Sequence, residues 1–197
     1  MAPLSLAVVG VLVVVLDLNV GSFDVLFDPV GYAVVALAAH RLVAVHPAFV
    51  RARAVAWVVA TTTLLGAFLR HADAGGVVTE NPLVILVETL VQAGLVVLFC
   101  TALEERSTDA RVTAPASTLR LALPVAIVIT GLLSLAVAFP LSTPDLAITR
   151  VAGWGLLLLP LLMITVVLAV WFLRVLRRAT PDPRFAGRRT VERVSVS

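Results

Sequence analysis

Lysine is missing from this chain. All fifteen of its bases are arginine, set against twelve acids, and charged residues fill only 14% of its 197 positions. Soluble domains of this size carry about 25% charged residues, because a surface facing water has to be polar. So few charges cannot cover the outside of a soluble fold. Cysteine occurs once, at Cys100 inside an apolar run, so it offers neither a disulfide pair nor a cysteine metal site. Catalytic signatures are missing as well. The sequence has no His-Glu-x-x-His, no Gly-x-Ser-x-Gly, no phosphate-cradling glycine loop and no Cys-x-x-Cys. The three histidines, His40, His46 and His71, are dispersed. Nothing here asks for a cofactor, and the chain does not read as an enzyme.

What is abundant is apolar sequence in long blocks: 60% of residues are hydrophobic and the mean hydropathy is +1.07. A transmembrane helix needs about 20 such residues to cross the ~30 Å hydrocarbon core. Six blocks reach or approach this length, at about 3–18, 29–45, 53–69, 82–103, 119–139 and 144–176, the first of them a short span. The expected fold is all-α, a polytopic transmembrane bundle of six helices arranged as three hairpins. Residues 177–197 form an Arg-rich tail expected to be disordered. The first block has no base before it and no small-residue cleavage pattern after it, so it reads as a retained helix rather than a signal peptide. The second is the least secure crossing because it contains His40 and Arg41, and a re-entrant or interfacial helix is the alternative.

Start signals recur on the even-numbered blocks. Asp28-Pro29, Asn81-Pro82 and Thr143-Pro144 each combine a side-chain acceptor with proline. An acceptor at the N-cap satisfies a free backbone N–H, and proline in the first helical position sacrifices no intrahelical bond. His46-Pro47 reads as the break that ends the second block. A kink is expected at Pro160.

Arginine sets the orientation. If the N-terminus is cytoplasmic, thirteen of the fifteen arginines fall on the inner side and only Arg70 and Arg150 fall outside. That asymmetry follows the positive-inside rule. It implies a multi-pass protein of the cell inner (plasma) membrane with N- and C-termini cytoplasmic, and it favours six crossings over five. The all-arginine basicity and the Ala/Val/Leu bias suggest a bacterial, GC-rich origin. The high pI is not a nucleic-acid footprint, because the arginines flank the spans. The implied partners are the lipid bilayer, anionic headgroups held by the Arg-rich tail, and a second copy of the chain in a homo-oligomer.

Glu88 is the most informative polar residue. It sits two turns into the fourth block, where a carboxylate costs about 2.5–3.5 kcal/mol at full depth. It must be paired, protonated or open to a watery cavity. Gln92 shares its face at i+4, and Thr61, Thr62 and Thr63 of the third block can add hydroxyls. Arg70 or His71 is a possible structural partner. The outer side also collects Asp17, Asp24, Asp28, Asp73, Glu80 and Asp145, acids able to hold a hard cation but in no ordered ligand loop.

Residues Asp17–Tyr32 contain Phe23-Asp24-Val25-Leu26-Phe27-Asp28-Pro29-Val30-Gly31-Tyr32. This segment resembles one near the N-terminus of small bacterial multi-helix membrane proteins of uncharacterised activity, in which a Phe-Asp-Ile-Leu-Pro-Asp-x-Ile-Gly-Tyr phrase opens the second helix. Phe27 and Pro29 depart from the phrase. The resemblance implies a recurring outer-face structure at Asp24, Asp28, Gly31 and Tyr32, and no activity. On physical grounds Asp28 can cap helix two, Gly31 can admit another backbone, and Tyr32 suits the headgroup zone. The candidate polar site is therefore Glu88, Gln92, Asp24, Asp28 and Tyr32. Two functions follow: binding or transport of a small solute or cation near Glu88, or a structural or regulatory membrane component without a substrate.

Overall fold

The computed structural model describes residues 2–16, 19–20, 23–24, 28–69, 71–72, 78–79, 82–138 and 144–186, with side chains placed over 2–14, 29–65, 83, 85–135 and 158–186. Six helices carry the fold: α1 (Pro3–Leu16), α2 (Asp28–Leu42), α3 (Ala48–Leu69), α4 (Pro82–Arg106), α5 (Ala110–Ala138) and α6 (Pro144–Ala179). Four of them, α3 to α6, contain spans long and apolar enough to cross a membrane. The protein is an all-α membrane-embedded bundle. Its only described strands are four two-residue pieces. β1 (Asn19–Val20) pairs antiparallel with β2 (Phe23–Asp24) between α1 and α2, and β3 (His71–Ala72) pairs with β4 (Val78–Thr79) between α3 and α4.

The Asx-Pro and Thr-Pro signals mark the starts of α2, α4 and α6 where the sequence puts them. Two other starts come earlier than expected. α3 begins at Ala48 rather than 53, because His46-Pro47 is itself a start signal: His46 Nδ1 accepts the Ala48 N–H at 3.2 Å. α5 begins at Ala110 rather than 119, because Asp109 Oδ1 accepts the Arg111 N–H at 2.8 Å. The polar stretch before residue 119 is thus helical, and α5 runs through both Pro115 and Pro124. α6 runs unbroken past Pro160. The tail expected to be disordered from 177 begins instead as ordered chain. α6 continues to Ala179, a short 3-10 turn follows at Pro183–Phe185, and Phe185 is buried; residues 187–197 lie outside the described residues.

Consecutive helices pack side by side, and α6 also packs on α1, so the six close into a ring. Small residues make the closest approaches. On α3, Ala48, Ala52, Ala56 and Ala60 recur every four residues and are all buried. Between α1 and α2 the backbones nearly touch: a Cβ on Gly10 would sit 2.7 Å from the Gly31 carbonyl oxygen, and one on Gly31 would sit 3.0 Å from that of Gly10. Between α4 and α5, Gly131 leaves room for Thr89. Such small-residue contacts let helices approach closely in lipid, where apolar side chains gain little by leaving the tails. Aromatic and hydroxyl pairs add to them. Phe49 of α3 meets Phe99 of α4 edge to face with centroids 5.3 Å apart, and the Thr130 and Thr165 hydroxyls join α5 to α6 at 3.1 Å. Large apolar side chains point outward, among them Leu121 (72% exposed) and Leu159 (67%). In water such a surface would be a liability, but against acyl chains it is the expected exterior.

One end of the ring is tied by polar groups. His46 Nε2 lies 2.8 Å from Glu105 Oε2, Arg120 Nη1 lies 2.8 Å from Glu104 Oε2, and Arg184 Nη1 donates to the Arg106 carbonyl at 3.0 Å. Since Nδ1 of His46 accepts a backbone N–H, its Nε2 carries the proton shared with Glu105. The α2–α3 connection, the α4–α5 connection and the chain after α6 therefore meet at the same end.

The Gly10–Gly31 contact makes a stability test. Gly31→Leu should force α1 off α2 at a cost of about 1–3 kcal/mol. Gly94→Ala, where an added Cβ meets nothing within 4 Å, should leave stability unchanged or raise it slightly, since alanine is the better helix former. Thermal unfolding of both variants in detergent checks the contrast.

Candidate functional site

Tyr32 is the only tyrosine in the chain and Gln92 the only glutamine. They hydrogen-bond to each other, with Gln92 Nε2 donating to the Tyr32 hydroxyl. Tyr32 stands four residues into α2, about 6 Å along its axis, and Gln92 stands ten residues into α4, about 15 Å along. Strong packing joins neighbouring helices of the ring, whereas this bond reaches from α2 past α3 to α4. Tyr32 is only 3% exposed. The sequence expectation turned its hydroxyl toward water; instead the ring turns inward and the hydroxyl is held by a side-chain amide. Gly31 faces α1, which lies against α2 nearly backbone to backbone, and the next side chain along α2 is turned into the bundle.

Glu88 lies one turn from Gln92 toward the start of α4, on the same face. It is half-buried, and it has an interaction partner of its own. Between them Thr89 is buried, bonds back to the Ile85 carbonyl at 2.7 Å, and packs on Gly131. The three threonines of α3 do not join the cluster through their protons. Thr61 donates to Trp57 and Val58 carbonyls, Thr62 to Val59, and Thr63 to Val59 and Ala60, all within their own helix. Such back-bonding satisfies a hydroxyl without crossing to a neighbour.

Of the five sequence-chosen residues, then, Tyr32 and Gln92 are joined directly and Glu88 is a turn away. Asp24 is the second residue of β2, with Asn19 as its partner across the ladder, and Asp28 is the first residue of α2. Their side chains lie outside the described residues, as do those of Asp17, Asp73, Glu80, Asp145, Arg70 and His71. Among the described residues no group of three or more His, Cys, Asp or Glu side chains is disposed to hold a metal ion. The sequence singled out the partners but missed the bond. Its one available clue was that a lone tyrosine and a lone glutamine both fall within the first ten or so residues of a helix entering from the same side.

The bond can be tested by removing one end and then both. Tyr32→Phe should cost about 1–3 kcal/mol by stranding the Gln92 amide, and the double variant Tyr32→Phe/Gln92→Leu should recover much of that loss, because no buried donor is left without an acceptor. Additive losses in thermal unfolding would show that the two side chains act separately. No family model matches the chain, and no match is found among curated proteins or solved structures, so the reading of this site rests on its own chemistry.

Proposed function

We propose that this protein binds, and in doing so moves or senses, a small polar solute or cation at the Tyr32–Gln92–Glu88 cluster. The observation that carries the reading is the Tyr32–Gln92 hydrogen bond one helical turn from Glu88. A carboxylate, an amide and a phenol within two turns offer an anionic acceptor, a neutral donor and acceptor, and an aromatic face. A carboxylate inside a membrane helix is a functional candidate by default, because its cost must be offset by something. In this reading the chain crosses the bacterial plasma membrane six times with both ends in the cytoplasm. The arginine asymmetry supports that topology, as does the bonding of His46, Arg106 and Arg184 at a single end. The cluster then lies in the outer half of the bundle, on the side of the resemblance over Phe23–Tyr32.

A structural or regulatory component without a substrate is the second reading. It is favoured by the polar ties at the arginine-rich end, which hold connections together and leave the outer cluster as one more inter-helix bond.

Ligand-dependent thermal shifts on purified protein separate the two. Monovalent cations, divalent cations and small polar solutes are titrated against the unaltered chain and Glu88→Gln. Binding at the cluster predicts a shift for one class that is lost in Glu88→Gln, with the unliganded melting temperature kept within a few degrees. Glu88→Cys in a Cys100→Ala background should react with a water-soluble thiol reagent added from outside. Failure to react, together with no shift for any class, would remove the binding reading and leave the structural one.

A further inference from the structure

At the arginine-rich end the acids among the described residues are already engaged. Glu105 is held by His46 and Glu104 by Arg120. Asp109 accepts the Arg111 N–H at the start of α5, and Asp182 accepts the Arg184 N–H at the start of the 3-10 turn. Besides Arg120, two further bases are engaged, since Arg53 bonds His40 at 3.1 Å and Arg184 bonds the Arg106 carbonyl. Arg174, Arg177 and Arg178 stand apart from this network. All three are exposed, and among the described residues no acid pairs with any of them. They follow i, i+3, i+4 spacing, so they share one flank of α6, while Phe172, Val175, Leu176 and Ala179 are buried on the other.

Nor are they needed to cap the helix. Thr180 donates to the Leu176 carbonyl through both its backbone N–H and its hydroxyl, and the Asp182 N–H reaches the Ala179 carbonyl at 3.1 Å. The last turn of α6 therefore has its acceptors largely supplied by the chain that follows. Depth is marked by tryptophan. Trp171, 36% exposed, precedes Arg174 by one turn, and on α3 the exposed Trp57 lies one turn from Arg53. Exposed tryptophan settles at the boundary between acyl chains and headgroups. A turn beyond that boundary is the level of the lipid phosphates.

We propose that Arg174, Arg177 and Arg178 form a binding site for the phosphodiester of an anionic phospholipid. Guanidinium donors match phosphate oxygens in pairs, and three on one flank can surround a single headgroup. The attraction of each base to an anionic surface adds to this. The site is independent of the outer polar cluster and rests on none of its chemistry.

The test uses the full chain in neutral detergent, with melting temperature read on titration with phosphatidylglycerol, phosphatidylcholine or inorganic phosphate. Phosphatidylglycerol should raise the melting temperature and phosphatidylcholine should not. The triple variant Arg174→Gln/Arg177→Gln/Arg178→Gln should lose the shift, its apparent affinity falling on the order of 100-fold. Arg41→Gln/Arg51→Gln, which removes exposed bases elsewhere at the same end, should keep most of it. If the triple variant does not insert, Arg177→Gln alone should weaken the phosphatidylglycerol shift while Arg177→Lys restores part of it. Equal losses in the α6 and Arg41/Arg51 variants would mean diffuse attraction and overturn the site. A shift matched by inorganic phosphate would overturn the lipid assignment, and an undiminished shift in the triple variant would overturn both.

Discussion

Close backbone contact is the condition on which this ring depends. In water, apolar helices are driven together because they escape the solvent; in a bilayer the solvent is as apolar as they are, and that drive is lost. What remains is dispersion, which falls off steeply with distance and rewards helices that approach tightly. The Gly10–Gly31 contact, the alanine row on α3 and the Gly131–Thr89 fit each bring a neighbour nearer than larger side chains would allow. The inward turn of Tyr32 and the reach of Gln92 toward it both depend on that proximity.

Polar chemistry is divided between the two ends. At the arginine-rich end it ties connections together through partly solvent-exposed pairs, each worth about 0–1 kcal/mol in such settings. These bonds are informative for what they join more than for what they stabilise. Deeper in the bundle, each hydrogen bond must satisfy its own groups because lipid offers none. Thr130–Thr165 and Tyr32–Gln92 both do so between helices. Among the described residues only the second stands beside an ionisable residue, Glu88, which is why the functional reading belongs there.

Much of the architecture was legible in the sequence, and the gaps have definite causes. Hydropathy found all six helices because each is built on an apolar run, and four of them reach the length and hydropathy of a membrane span. The three acceptor-proline pairs fixed starts to within a residue because they act locally. His46-Pro47 was read only as a break, although an imidazole nitrogen can cap as a carboxylate does, and the start of α3 was therefore placed late. The α5 start was missed because Asp109 heads a polar turn that hydropathy treats as loop. The order of residues 180–186 depends on Phe185 finding a buried seat and Arg184 finding the Arg106 carbonyl, both long-range events that no local pattern announces. Tyr32 was sent to the headgroups by its type. Its true direction depended on how closely α1 lies against its helix.

The unequal lengths of the helices carry a consequence for the surrounding lipid. α1 has 14 residues and α2 has 15, which gives each about 21–22 Å of rise, whereas α4, with 25 residues, rises about 37 Å. Side chains on the short pair face outward, including Val9, Leu12, Val30 and Leu37. If α1 and α2 cross the bilayer as the sequence expects, a hydrocarbon layer of ~30 Å would exceed their rise by roughly 8 Å, and the leaflets would thin beside that flank alone. Such a lopsided deformation would cost least beside short-chain lipids or beside a second body of similar thinness, giving the protein a preference for where in a membrane, and next to what, it resides.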